Sequence, residues 1–536
     1  MSAATAALGA GLVVAWLCVM LPNLRMLPPQ DQLNYLQAAA NFPDGLTDPD
    51  APPGADVTHQ VLRFGLILPT RLAIEVFGYS QAAYYAVPLL AVVLLLVSLY
   101  ALGALLFARA VGVAAAALVL STTPVFREQS YLMPDLLTAA LFTAAVTLCV
   151  AVRLRRLPRR WPVFVLIGVL LGWGYLVREF VVFGWPLVPV LLWRGGWRST
   201  ARDLLWVAAP MAALWLAETA LCWGLYGDPL LRLKTIAGHG SAPSAPGFAE
   251  TYRDKTLSVY VLRLPEALRR YTEGHWLLGL LGLTIVGGTV QALGRLGRLR
   301  DPATRILRGP AGQGVALLLL WCALIWVPLT LLGGVLDPAA PKLRLQLIRY
   351  WFPIFPAFVL GGLAVVWLLG RRLLGRLPAW RGAHAVAGVL VLLVAAVPAR
   401  MSVHNLWGVT NTRTGGATHM EAFRDWMGRY EETPDGRAVR AVWTDTSTDG
   451  ILRVFRTGPF GGRAWSAQVR SWRPGGPAPG TGDLLLTYSL TGGRCVYCQR
   501  AMQKLLADHP PRLGGAPLFA TPDGQLQVFR VLGPST

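Results

Sequence analysis

Residues 135–177 read DLLTAALFTAAVTLCVAVRLRRLPRRWPVFVLIGVLLGWGYLV: two long apolar runs joined by a short turn that carries five arginines. Each run is close to the length a helix needs to cross a hydrocarbon core of about 30 Å. The arginines between them mark which side of a membrane the turn occupies. Working outward, similar runs recur at 3–22, 82–107, 111–126, 180–193, 204–225, 276–294, 313–332, 350–369 and 383–399, so the sequence predicts eleven spans. The runs at 111–126 and 180–193 are short and depend on tilt or on burial behind neighbours. The first run lacks charge, a basic flank and an A-x-A-type cleavage site, and reads as a retained span rather than a signal peptide.

Composition agrees. Of 536 residues, 54% are hydrophobic and 14% charged, with a mean hydropathy of +0.48; a soluble chain carries about 25% charged residues. The net charge of +21 would suggest nucleic acid in a soluble protein, but no run interleaves basic and aromatic residues along an exposed face. Topology explains the arginines better. The connections after every second span carry Arg109, the five arginines of 153–160, then Arg194, Arg198 and Arg202, the five of 295–308 and the four of 371–381. The opposite connections are longer and sparser in basic residues. The positive-inside rule therefore puts the arginine-rich side, and the N-terminus, in the cytoplasm.

On this reading residues 1–400 form a multi-pass domain of the cytoplasmic (plasma) membrane, and 401–536 form a small α/β domain outside it. The tail shows strand-like runs at 439–444, 483–488 and 526–532. Helix-like stretches at 420–430 and 499–508 lie between Gly/Pro-rich breaks. Cys18, Cys149, Cys222 and Cys322 lie in apolar runs and read as small buried residues. Cys495 and Cys498 have no second pair or nearby histidines for a zinc site; in an oxidising compartment a local disulfide is expected.

The candidate chemistry gathers on the outer side. Residues 27–42, LPPQDQLNYLQAAANF, predict a helix opened by prolines, with Asp31 and Tyr35 one turn apart on one face. His59 and Arg63, and Arg71 and Glu75, repeat the four-residue spacing; solvated charges on an interfacial helix would show the same pattern. Asp135, after Pro134, is either a helix N-cap or a functional carboxylate. Arg178 and Glu179 stand between two apolar runs with almost no loop, where charges are costly and so either pair with one another or serve a function. Arg349 and Tyr350 precede WFPIFP. An arginine there either snorkels to headgroups or holds a phosphate through its planar fork.

In this order the motifs resemble bacterial polyprenyl-phosphate-dependent glycosyltransferases of the GT-C superfamily, the group containing protein O-mannosyltransferases and lipid A aminoarabinose transferases. The similarity runs through Asp31-Gln32-Leu33-Asn34-Tyr35, then Arg63 to Pro69 and Val76-Phe77-Gly78-Tyr79-Ser80, then Thr123-Pro124 with Asp135, and finally Arg349, Tyr350, Pro353 and Pro356. Gln32 stands where protein O-mannosyltransferases carry a second acid, and the basic-proline element lacks the K/R-P-P form, so acceptor and sugar stay open. The resemblance implies a sugar donor on polyprenyl phosphate, embedded in membrane lipid. It also implies a glycan, lipid or protein acceptor whose hydroxyl attacks the anomeric carbon with inversion. Asp31 is then the expected base, Asp135 an acceptor-orienting or assisting carboxylate, and Arg63, Arg349 and Arg178 the phosphate ligands, with Tyr35, His59, Glu179 and Tyr350 beside them. Two carboxylates leave a divalent cation, Mg²⁺ or Mn²⁺, open. Rival readings are a transporter or lipid flippase, which paired repeats and broken mid-bilayer helices would favour, and a non-catalytic scaffold.

Overall fold

The structure is a computed structural model. It describes residues 3–21, 24, 30–44, 58–193, 196–238, 253–295, 310–339, 341, 347–374, 382–411, 416–445, 448–456, 465–473, 475–488 and 496–533. The chain divides into two compact units. The first comprises 1–24, 63–66 and 87–411; the second comprises 25–62, 67–86 and 412–536.

The first unit is helical, and its helices follow the apolar runs. Seven described helices are long and apolar enough to cross a membrane: Gln81–Leu106, Pro134–Arg153, Trp197–Tyr226, Gly274–Gly294, Gly314–Val335, Ile348–Leu374 and His384–Ser402. The other four expected spans coincide with shorter apolar helices, Ala6–Met20, Arg109–Ser121, Trp161–Val177 and Glu179–Leu192. The chain is thus a multi-pass membrane protein. The 111–126 run is broken: its helix ends at Ser121, Thr122 turns the chain, and a short helix Thr123–Glu128 follows. Cys149, Cys222 and Cys322 are buried as expected, whereas Cys18 is exposed.

Two arginines of the quoted turn also have a local role. Arg159 donates to Asp203 and to the Leu192 carbonyl (2.8 Å), and Arg153 donates to the carbonyls of Val190 (2.9 Å) and Leu191 (3.2 Å). They satisfy the last carbonyls of the Leu187–Leu192 helix, groups that helix geometry leaves without intrahelical donors. Helices Trp161–Val177 and Trp197–Tyr226 pack closely. At Gly168 a Cβ would meet the Val207 carbonyl oxygen at 2.1 Å, so only glycine permits that approach.

In the second unit the tail strands form a sheet in the order β2-β1-β3-β6-β4, with β5 on β6. The strands are β1 (Ala441–Thr444), β2 (Gln468–Ser471), β3 (Leu484–Tyr488), β4 (Arg512–Leu513), β5 (Phe519–Ala520) and β6 (Leu526–Gly533). β1 runs parallel to β2 and β3, and β3 pairs antiparallel with β6, Leu485 opposite Phe529. Parallel pairing requires a crossover, and helix Thr448–Arg456 supplies it between β1 and β2. Its start is fixed by Asp445, whose carboxylate accepts from the Thr448 backbone N–H at 2.9 Å. Trp443, Trp472, Leu485, Met502, Leu505 and Val531 form the core. Helix Gln30–Asn41 belongs to this unit and packs on Thr448–Arg456. Tyr84 donates to Gln32 (2.5 Å) and Arg71 to the Ala40 carbonyl (2.5 Å). Cys495 lies outside the described residues, and with it the expected disulfide.

Candidate functional site

Helix Pro134–Arg153 starts with proline at its first helical position, after an extended Met133. Met133, not Asp135, occupies the cap, and no side chain caps this end. The N-cap alternative for Asp135 is therefore replaced by another arrangement. Its carboxylate, 1% exposed, lies 2.5 Å from Arg178 Nη1 and 3.8 Å from Arg349 Nε. Two guanidiniums around one buried carboxylate leave that group a local excess of positive charge.

Arg178 is the extended residue between helix Trp161–Val177 and the 3-10 turn Glu179–Gly184. Its guanidinium lies 4.2 Å from the Tyr350 ring centroid and 5.2 Å from that of Phe180, and the two rings are 5.6 Å apart. Arginine tolerates this setting because its flat, weakly hydrated cation stacks on aromatic faces while its edge pairs with a carboxylate. Arg349 and Tyr350 arrive on the 3-10 helix Ile348–Ile354, which packs on Pro134–Arg153. Trp321 pins that segment by donating to the Pro353 carbonyl at 2.9 Å. The Arg349 side chain keeps 21% exposure against 6% for Arg178, so Arg349 is the more accessible cation of the pair.

Arg63 comes from an earlier part of the chain. It is buried and directly precedes helix Phe64–Phe77. The spacing predicted His59 and Arg63 on one helix; instead 59–62 is a turn and the helix begins after Arg63. Gly65 permits the approach, since a Cβ there would meet the Val177 backbone nitrogen at 2.5 Å. Trp173 closes the contact by donating to the Gly65 carbonyl at 3.0 Å. The guanidiniums of Arg63, Arg178 and Arg232 all act on the Glu179 carboxylate.

The structure thus brings Arg63, Asp135, Arg178, Glu179, Arg349 and Tyr350 together in the first unit, while Asp31, Tyr35 and His59 lie in the second. Asp31 is half-buried in the first turn of Gln30–Asn41. Tyr35, expected on the same face as Asp31, is only 2% exposed and is buried in that helix's packing. Arg71 and Glu75 do pair, at the surface, as their spacing predicts. Sequence reasoning missed Arg232 and Glu218, which extend the cluster through Glu179. The available signal was Glu218 itself, an acid inside an apolar span.

The surroundings of Asp135 oppose a divalent cation. Among the described residues no group of three or more His, Cys, Asp or Glu side chains gathers as a metal site. Asp135 already faces two guanidiniums, a field that opposes a further cation.

Comparisons with known proteins agree with this architecture. Residues 68–223 match the family described as dolichyl-phosphate-mannose-protein mannosyltransferase. No curated protein matches the chain in sequence. Among solved structures, ArnT from Cupriavidus metallidurans in the apo state aligns over 100% of both chains at 13% identity and a TM-score of 0.56. Its form bound to undecaprenyl phosphate aligns over the same extent at 13% identity and 0.55. The oligosaccharyltransferase of Archaeoglobus fulgidus in the apo form aligns at 15% identity and 0.50, covering 83% of this chain and 63% of that one. The chain thus spans less than two thirds of the archaeal enzyme's length. Together these matches bear out the resemblance read from the sequence, and the fold is that of the GT-C membrane glycosyltransferases.

Proposed function

We propose that the protein is a glycosyltransferase that moves a sugar from a polyprenyl-phosphate carrier to an acceptor hydroxyl at the outer face of the cytoplasmic membrane, with inversion. The observation that carries this reading is the buried Asp135 flanked by Arg178 and the more accessible Arg349, with Tyr350 against Arg178. Glycosyl transfer from a lipid phosphate needs positive charge where the phosphate leaves and a base where the hydroxyl attacks. Arg349 and Arg63 supply that charge, and Arg178 fixes the orientation of Asp135. Asp31 takes the acceptor proton, and Tyr35, His59, Glu179 and Tyr350 shape the binding of donor and acceptor. ArnT, which shares the fold, has been captured with undecaprenyl phosphate, and that supports a lipid monophosphate as the carrier. The arginine-rich connections support a cytoplasmic N-terminus and a tail outside the membrane.

The test is reconstitution in liposomes with a polyprenyl-phosphate sugar labelled in the sugar. Transfer of label to a glycan, lipid or protein acceptor is expected. Label that crosses the bilayer still joined to its lipid would make the protein a flippase instead.

A further inference from the structure

Beside the residues proposed to receive the phosphate, the buried Arg232 has no assigned task. Helix Trp197–Tyr226 ends at Gly227, whose φ of 73° reverses the chain as glycine readily allows. Asp228 then accepts from the Leu230 backbone N–H (3.0 Å) and from Lys234 (2.7 Å), and helix Leu231–Gly238 begins. This returns Arg232 against the helix the chain has just left. Its side chain is 3% exposed. Nη1 donates to Glu218, Nη2 donates to the Tyr175 carbonyl at 2.6 Å and lies 3.8 Å from Glu179 Oε2, and the guanidinium sits 4.8 Å from the Tyr175 ring centroid.

Arg232 is thus surrounded by partners of its own chain and is too buried to meet a ligand. Its hydrogen bonds anchor it to Glu218 and to the end of helix Trp161–Val177, and its charge lies 3.8 Å from Glu179, the neighbour in sequence of Arg178, which pairs with Asp135. Acids and bases alternate from Glu218 through Arg232 and Glu179 to Arg178, Asp135 and Arg349. Resting on the lipid-phosphate reading above, we infer that Arg232 is a positioning residue: it fastens the outer segment after residue 226 to the Arg178–Glu179 turn and so sets the placement of the arginines that receive a lipid phosphate. With Arg232 gone, Glu179 turns toward Arg63 and Arg178 and competes with the phosphate for them.

The test measures binding of undecaprenyl phosphate to the purified full-length protein, together with KM for the sugar-loaded donor and kcat. Arg232→Met alone leaves Glu218 buried without its partner, so Glu218→Gln/Arg232→Met is the second variant, with that charge removed as well. Loss of one well-placed charge-assisted hydrogen bond to the phosphate weakens binding by about tenfold or more, and both variants are expected to bind the lipid at least about tenfold more weakly. Donor KM should rise in step, kcat should stay within about threefold, and Arg232→Lys should recover part of the affinity. A folded double variant with wild-type lipid affinity, or with reduced kcat at unchanged affinity, overturns the inference. A wild-type protein that binds the lipid phosphate but transfers no sugar overturns the enzymatic reading and leaves this one standing. A wild-type protein that does not bind it overturns both.

Discussion

Two sets of buried charges, one in each unit, have different partners. In the tail, Asp483 accepts from the Trp443 indole at 2.8 Å and from the Gly480 backbone at 3.0 Å, which ties the turn before β3 to the core. Asp445 fixes the start of the crossover helix. Each buried carboxylate there answers a hydrogen-bond donor of the fold. In the first unit, Asp135 and Glu218 are equally buried, and each faces a buried guanidinium, Arg178 and Arg232 respectively. Burying charge between apolar helices costs several kcal/mol per ion. The contrast separates polar groups that the fold uses from polar groups that the fold tolerates for another purpose.

Asp31 puts the contrast under most strain, because it is proposed as catalytic yet lies in the second unit. Asp31→Asn keeps size and removes basicity. Turnover is expected to fall by about 10²–10⁴-fold with lipid binding intact, as measured by single-turnover transfer. Near-normal turnover would pass the role of base to Asp135. Arg349→Ala should weaken donor binding by about 1.5–3 kcal/mol, the contribution of a charge-assisted hydrogen bond, with the unfolding transition unchanged; an unaltered donor affinity would make Arg349 a headgroup anchor only.

On the tail side, Asp483→Ala leaves the Trp443 indole without its acceptor and should cost about 1–3 kcal/mol, read as faster amide exchange in β3 and β6 of the full-length protein. The smallest effect is set by pH. The Asp523 carboxyl is held below the ordinary carboxylate range, first by the Thr521 hydroxyl, with the Gln525 backbone and His419 adding to it. A depressed value contributes stability above the unfolded pKa of about 3.9, and that contribution is lost as pH falls through the lower folded value. Exchange in 519–533 should therefore accelerate on acidification below about pH 4, and Asp523→Asn should flatten this response.

Much of this was legible in the sequence because bilayers and sheets write strong patterns. The apolar runs located the helices, and the strands at 441–444, 484–488 and 526–533 fell within a few residues of their expected places. β2 was missed because Gln468–Ser471 is four residues long with three of them polar, and becomes a strand only by pairing with β1. Helix Thr448–Arg456 was missed because it is only nine residues long and Gly450 interrupts its first turn. In the site, Asp135, Arg178, Glu179 and Arg349 stood out as charges beside apolar runs. Arg232 did not, because the loop that carries it looks like any polar connection until Gly227 folds it back. Nor did the sequence separate Asp31 and Tyr35 from the arginines, since residues 63–66 and 25–62 are neighbours in the chain but fall in different units.

The most direct test of the contrast replaces the Asp135–Arg178 pair with apolar residues of similar volume, Asp135→Leu/Arg178→Met, and follows sugar transfer from a labelled polyprenyl-phosphate donor beside the unfolding transition. Such replacements are often neutral or stabilising by about 1–4 kcal/mol when a buried ion pair serves only the fold. The expected result is a protein at least as stable as the wild type that transfers sugar at less than about a hundredth of its rate. A stable variant with near-wild-type transfer would contradict it, and would make the buried charges of the first unit structural, like those of the tail.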